Sequence, residues 1–386
     1  MQVSAHQENL AKALGIVSRA VSSRSTMPVL SNILLEAKGG QLRLAATNRE
    51  IGITCWIAAK VEDEGAITIP ARLLGEFVNS LPPERIDMDL KESTQTLHFK
   101  CAGFKANMKG IDWQEFPLLP TIVTDAVAIK LDATTLTTMI GGVVVAASDD
   151  ENRPTLTGVE VTIGAGQITM AATDGYRLGY RRQDASIDGD NMTVIVPHTA
   201  LESLGKFLPD AAGTVDVVVT EKRDMLLFGW TGNEKSRYQR VEMSCQLIDG
   251  RYPDYRATVP KKAGLTIKVD TKALAGAVKL AMLFGRDNAN IVRFESYADS
   301  NGNDGQLKIS ARSAEMGETE NVIPCLADGQ LAIAFNGKLV LDALATIADA
   351  QTVIELTQDT RPGVFYGGSV RKDDAFAVLM PMNAPR

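Results

Sequence analysis

Three stretches of this chain open on the same Gly-Gln pair and continue as alternating apolar strands. They are Gly40-Gln41-Leu42-Arg43-Leu44-Ala45-Ala46-Thr47-Asn48, Gly166-Gln167-Ile168-Thr169-Met170-Ala171-Ala172-Thr173-Asp174 and Gly305-Gln306-Leu307-Lys308-Ile309-Ser310-Ala311-Arg312-Ser313. The pairs lie 126 and then 139 residues apart. A recurrence on this scale means that one supersecondary unit is used three times, and it limits the fold before any single motif is read. Upstream of each strand runs a segment of helical period, from Glu8 to Ser22, Ala133 to Ala147 and Thr271 to Leu283. Asp132 and Asp270 stand where N-caps belong.

Downstream, a β run feeds a second helix in each copy. Ile67–Pro70 leads to Ala71–Leu81, Val194–Pro197 to His198–Leu208, and Leu331–Asn336 to Gly337–Ala348. The prolines suit a helix's first turn, where a missing N–H costs nothing. Paired strands close each copy: Ile86–Leu90 with Thr96–Ala102, Val215–Thr220 with Met225–Trp230, and Thr352–Leu356 with Val364–Tyr366. The expected architecture is α+β, three tandem similar domains of about 125 residues, each with two helices and about eight strands in layers. The boundaries fall at 1–127, 128–259 and 260–386. The extra length of the third copy sits in 296–305, a polar Gly/Asn-rich stretch that reads as an exposed loop.

At 386 residues the chain exceeds one ordinary core. With 45% apolar and 23% charged residues, it fits neither a disordered nor a membrane-spanning class. There is no apolar run of about eighteen residues. The start, Met1 to Gln7, lacks the basic-then-apolar order of a signal peptide, so a cytoplasmic location is expected. Cys55, Cys101, Cys245 and Cys325 are far apart and read as reduced, buried thiols. His6, His98 and His198 are too dispersed for a metal site, and no phosphate loop or nucleophile motif is present. Asp149-Asp150-Glu151 beside Asn152 and Arg153 reads as a solvated loop. No catalysis, cofactor or metal is therefore expected. The net charge of −7 speaks against a simple basic nucleic-acid binder until the charges are placed. The middle third carries −5 and each outer third −1.

One turn stands apart, Ala171-Ala172-Thr173-Asp174-Gly175-Tyr176-Arg177-Leu178. Asp-Gly is a hairpin signal and needs no further role. Its equivalents in the other copies, Thr47-Asn48-Arg49-Glu50 and Arg312-Ser313-Ala314-Glu315, differ in sequence. That divergence reads as a fold element specialised in the middle copy.

The threefold repeat, this turn, Leu247-Ile248-Asp249-Gly250-Arg251-Tyr252-Pro253-Asp254-Tyr255, the ending Leu379-Met380-Pro381-Met382 and Ser23-Arg24-Ser25-Thr26-Met27-Pro28 together resemble the bacterial DNA polymerase III beta subunit, the sliding-clamp family. The resemblance spans essentially the whole chain. It implies the DNA clamp fold, closed as a head-to-tail dimeric ring whose helices line a central hole for duplex DNA. A ring that slides needs phosphate-directed cations without base readout. The candidates are Lys12, Arg19 and Arg24, with Arg72, Arg153, Lys206, Lys272, Lys279 and Lys338; any one of them equally suits a plain solvated helix face. Arg24 is carried over from the family through its Ser-Arg-Ser-Thr-Met-Pro context.

The resemblance also implies a groove for short peptides of the DNA polymerase III alpha subunit, the clamp loader and other proteins with a clamp-binding motif. Its walls here are Leu156, Thr173, Gly175, Tyr176, Arg177, Leu178, Pro253, Met380, Pro381 and Met382. Methionine adapts to varied side chains, although Met380 and Met382 also suit an ordinary core. Tyr176 stands where the family often has His, and Ala257-Thr258 replaces a basic-then-apolar pair. The tail runs on as Asn383-Ala384-Pro385-Arg386, longer than the usual ending. The homodimer joint would place Lys105 and Met108 against Met282, Leu283, Glu315 and Glu318, basic against acidic around an apolar centre. The other reading of the same residues is a β-rich scaffold protein with no DNA role.

Overall fold

A computed structural model describes residues 1–22, 26–122, 129–185, 191–208, 213–233, 235–286, 288–298 and 305–383. Among them the α-helices are α1 (Gln7–Val17), α2 (Ala71–Ser80), α3 (Ala133–Val143), α4 (His198–Phe207), α5 (Thr271–Gly285) and α6 (Gly337–Ala345). Among the described residues, nine strands precede residue 110, eight lie between 129 and 246, and eight between 265 and 379. No helix of the described residues is long and apolar enough to cross a membrane. The chain divides into two compact units, Met1–Thr137 with Thr199–Leu247, and Thr138–His198 with Ile248–Arg386. The three sequence repeats and the two compact units thus do not coincide, because the middle repeat gives one set of strands to each unit.

The first unit holds two sheets. One runs in the order Lys60–Asp63, Gln2–His6, Arg85–Lys91, Thr96–Cys101, Phe104–Lys109. The other runs Ile129–Asp132, Thr214–Val219, Met225–Thr231, Arg240–Gln246, Ile51–Ala58, Gln41–Thr47, Asn32–Lys38, Gly65–Pro70. First and middle repeats meet where Arg240–Gln246 pairs antiparallel with Ile51–Ala58, Val241 opposite Cys55. α1 buries Leu10, Ala13, Leu14 and Val17, a stripe of helical period. Its first residue, Gln7, donates to the Val78 carbonyl of α2 at 2.8 Å, so this buried amide is satisfied across the helix pair.

A twelve-stranded sheet forms the second unit, with Met192–Pro197 at one edge and Leu331–Asn336 at the other. Middle and last repeats meet where Arg177–Asp184 pairs with Ala375–Leu379. Because side chains alternate along a strand, that last strand serves two cores. Phe376 and Val378 pack with Ala171, Leu178, Ile195, Tyr252 and Tyr255. Ala377 and Leu379 pack with Leu274 and Val278 of α5 and Val340 and Leu344 of α6. Arg181 is buried on the neighbouring strand with no carboxylate partner among the described residues. Its guanidinium donates to the Tyr180 carbonyl at 2.8 Å and to the Thr346 carbonyl, just past α6, at 2.9 Å. Burial pulls this cation down to about 10. Gly142 of α3 makes room for it, since a Cβ there would lie 2.2 Å from the Arg181 Nε.

The expected caps form. Asp132 accepts from the Thr135 N–H at 2.9 Å and Asp270 from the Ala273 N–H at 2.7 Å. In the third copy Asn336 caps α6 by accepting from Lys338 and Leu339. Pro70 and Pro197 end edge strands immediately before α2 and α4, where the sequence places them. An edge strand has a free side, so a residue without an N–H is tolerated there. The first helix of the first two copies is shorter than expected. α1 stops at Val17, where Ser18 Oγ donates back to the Leu14 carbonyl at 2.6 Å, and one tighter turn, Ser18–Ala20, follows. α3 likewise gives way to a tight turn at Val144–Ala146, where β-branched residues crowd the helix. α6 ends at Ala345, three residues before the expected Ala348. Of the expected 296–305 loop, 299–304 lie outside the described residues.

Candidate functional site

The Asp-Gly turn joins the strands Gln167–Thr173 and Arg177–Asp184. Gly175 sits at φ +96°, in the left-handed region where a side chain would be strained. Asp174 Oδ1 accepts from the backbone N–H groups of Tyr176 at 2.8 Å and Arg177 at 3.0 Å. Thr173 Oγ1 donates to the Arg177 carbonyl at 2.6 Å and accepts from the Gly175 N–H at 3.1 Å. The Thr173 N–H donates to the Tyr252 hydroxyl at 3.0 Å, which donates onward to the Gly158 carbonyl at 3.3 Å. Burial pushes the Tyr252 hydroxyl up to about 12.

Around this frame the structure assembles most of the expected walls. The Met380 N–H donates to the Tyr176 carbonyl at 2.8 Å, which seats the tail beside the turn. The Met382 N–H donates to the Ala334 carbonyl at 2.8 Å. Tyr176 is 64% and Met380 40% exposed, so two large apolar groups face solvent side by side. Leu178, at 3% exposure, lies beneath them opposite Val378. Leu156, Pro381 and Met382 are half-buried, and Pro253 is exposed next to buried Tyr252. Arg177 is held at two corners. Its Nε donates to Asp174 Oδ2 at 3.0 Å, and its Nη1 to Asp342 Oδ2 on α6 at 2.6 Å. Arg153 braces the turn as well, donating to the Asp174 carbonyl at 3.1 Å and to Asp150 at 2.9 Å. Sequence reasoning missed Asp342, which lies 165 residues from its partner and in no motif. The arrangement sets exposed Tyr176 and Met380 beside one guanidinium fixed by two carboxylates.

Family models of the DNA polymerase III beta subunit match the chain in three consecutive parts. The N-terminal domain matches residues 1–120, the central domain 130–254 and the C-terminal domain 256–383. The chain belongs to the DNA polymerase III beta subunit family. Among its relatives, the beta sliding clamp of Synechococcus elongatus is 30% identical over 369 residues, covering 94% of this chain and 95% of that protein. Crystal structures agree over the full length. The DNA polymerase sliding clamp of Bacillus subtilis superposes with a TM-score of 0.90 at 27% identity, covering 100% of both chains. The DNA polymerase III beta subunit of Pseudomonas aeruginosa gives 0.88 at 27% identity, covering 99% of this chain and 100% of that one.

The candidate DNA contacts of this chain fall into two groups. Several are already engaged within the chain. Arg72 pairs with Glu76 at 2.9 Å and Lys206 with Glu202 at 3.1 Å, each one helical turn apart. Arg19 lies over the Phe207 ring at 5.9 Å, Lys12 is half-buried, and Arg153 belongs to the turn just described. Lys272, Lys279 and Lys338 are exposed with no ion-pair partner among the described residues. Lys272 and Lys279 share one face of α5, two turns apart. Arg24 lies outside the described residues.

The proposed joint residues occupy two sheet features. Phe104–Lys109 is the edge of the five-stranded sheet. Lys105 is exposed there and Met108, at 4% exposure, faces the core, so the exposed apolar group of this edge is Phe104, at 56%. Gly317–Ala327 pairs along its length with Gly305–Ser313, but on its other side only Cys325–Ala327 meet Ile267–Val269. The outer side of 317–324 is thus an unpaired edge among the described residues, with Glu315 and Glu318 exposed at its start and Val322 54% exposed along it. At the end of α5, Leu283 is half-exposed, whereas Met282 turns inward against Gly337. Edge-strand exposure of Phe104 and Val322 has no sequence signal, since alternation is the same on paired and unpaired strands. Among the described residues, no group of three or more His, Cys, Asp or Glu is placed to hold a metal ion.

Proposed function

We infer that this chain works as a DNA sliding clamp and processivity factor, with domains near 1–127, 128–259 and 260–386, and that it acts by topology and tethering instead of catalysis. Two copies close head to tail into a ring around duplex DNA in the cytoplasm. The edge strand Phe104–Lys109 of one copy continues the sheet of its partner along 317–324, with Lys105 facing the acidic start of that edge. The exposed lysines Lys272, Lys279 and Lys338, with Lys12, Arg19, Arg24, Arg72 and Lys206, meet phosphates without reading bases. An overall charge of −7 keeps DNA off the rest of the surface. The groove at Tyr176, Arg177 and Met380 takes short extended peptides of the DNA polymerase III alpha subunit, the clamp loader and other motif-bearing partners.

The observation that carries this reading is the seating of the Met380–Met382 tail against the Asp174-Gly175 turn in a chain of clamp fold. The test is loading by a clamp loader onto nicked circular DNA. Retention on the circle and release when it is linearised are expected. Equal retention on both forms, or tight sequence-specific binding to a short linear duplex, points instead to a scaffold or an ordinary DNA binder.

A further inference from the structure

We propose that Asp342 is a positioning residue of the groove, holding Arg177 so that its free amino group faces the main chain of a bound peptide; this rests on the reading of the groove as a peptide site. A guanidinium is a rigid planar fork of five N–H donors on a flexible stem. A single contact lets the plane swing, and two contacts at different nitrogens fix it. Asp174 holds Nε, and Asp342 holds Nη1 at 2.6 Å. Nη2 has no partner among the described residues, and the side chain keeps 17% exposure. It is therefore an oriented donor without a protein partner among the described residues, partly open to solvent. Fixing it before binding removes rotamer entropy that the complex otherwise loses.

Three further observations single out Asp342. It sits in the middle of α6, where aspartate weakens a helix and serves no cap. Arg177 is its hydrogen-bonding and ion-pairing partner among the described residues. The pair is also present at one joint and not at its counterpart. The middle and last repeats match Asp342 with Ser203 of α4, just as they match buried Val340 with Leu201 and Ala343 with Leu204. The first and middle repeats match Arg177 with Ile51. Both members change together, as expected for groups that act as one device. Two carboxylates around one guanidinium also leave an excess negative charge. Nη2 thus suits a neutral carbonyl acceptor better than a peptide carboxylate.

The experiment uses the full chain and fluorescence anisotropy with a labelled hexapeptide ending in Leu-Phe, plus variants carrying Glu at each other position. Asp342→Asn is expected to weaken the parent peptide about fivefold. Added to Arg177→Ala, it should change nothing further, and Asp342→Glu should keep most of the affinity. The Glu peptide most rejected by the wild-type chain should be rejected less by Asp342→Asn. A merely structural ion pair does not change that ranking. Asp342→Ser, copying Ser203, gives a second variant if Asn perturbs folding in a melting scan. Additive losses in the double variant, or wild-type binding by Asp342→Asn while Met380→Ala has lost it, overturn the positioning role alone. Wild-type binding by both Met380→Ala and Arg177→Ala overturns the groove reading beneath it.

Discussion

Two turns of this protein are built alike and surrounded differently. In the first repeat, Thr47 Oγ1 donates to the Ile51 carbonyl and accepts from the Arg49 N–H, and Asn48 Oδ1 accepts from Glu50 and Ile51. In the middle repeat, Thr173 and Asp174 make the same four bonds. The strand that follows on the sheet also docks alike: Gln246 donates to the Glu50 carbonyl at 2.9 Å, as Met380 does to that of Tyr176 at 2.8 Å. Different sequences thus encode one turn, and divergence at this site did not alter the backbone. What changed is the lining. At the first joint Leu119 packs onto Gly52, where an added Cβ would lie 2.7 Å from it. At the second, the matching position is Leu178, beneath Tyr176 and Met380, with Arg177 clamped at the rim. The two joints thus carry different side chains on one backbone frame.

Grafting one joint's packing onto the other should have the largest effect. By repeat register, buried Cys55 and Ile16 stand at the first joint where Arg181 and Gly142 meet at the second. Gly142→Ile alone drives a side chain into the buried Arg181. It should cost about 3 kcal/mol or more, or abolish soluble protein, in denaturant unfolding. Gly142→Ile with Arg181→Cys should recover part of that loss, since volume is restored. No recovery would mean that the two joints do not share a packing scheme.

Function should divide the turns next. Tyr176→Ala is expected to weaken a Leu-Phe hexapeptide about tenfold, and the matched Glu50→Ala should leave it unchanged. Equal losses would place partner binding outside the second turn.

Alkaline unfolding then separates Tyr252 from Phe116, which precedes Pro117 as Tyr252 precedes Pro253. A buried hydroxyl raised to about 12 favours the folded state fully below about pH 10, and this contribution is lost as pH rises towards 12. Tyr252→Phe should make the decline in stability across that window shallower, by on the order of 2 kcal/mol at its upper end, at the cost of the bonds to Thr173 and Gly158 below it. An unchanged slope would remove Tyr252 from the account.

The smallest effects lie at the turn apices. Arg49 adopts φ +78° where the second turn has Gly175. Arg49→Gly should raise stability by up to about 1 kcal/mol, and Gly175→Ala should lower it by a similar amount, through backbone strain alone. Gly175 has room for a methyl group, the nearest atom being 3.8 Å away.

The repeat, the order of helices and strands, the Asp132 and Asp270 caps and the Asp-Gly turn are all legible in the amino-acid sequence. These follow from hydrophobic period and from hydrogen bonds between residues a few positions apart, which a reader of the chain can see. The sequence also marked Tyr176, Arg177 and Met380 as candidates, through a resemblance to relatives and not through chemistry visible in the residues. The division of the middle repeat between two compact units emerges from folding alone, because strand pairing between repeats depends on edges, and alternation looks the same on a paired strand and a free one. Folding placed Phe104 outward and Met108 inward, engaged Arg72 and Lys206 in ion pairs, and tied Arg153 to the Asp174 turn. It also brought Asp342 across 165 residues to Arg177. The side chains that tell the two joints apart are set by partners distant in sequence, and no local pattern records a long-range contact.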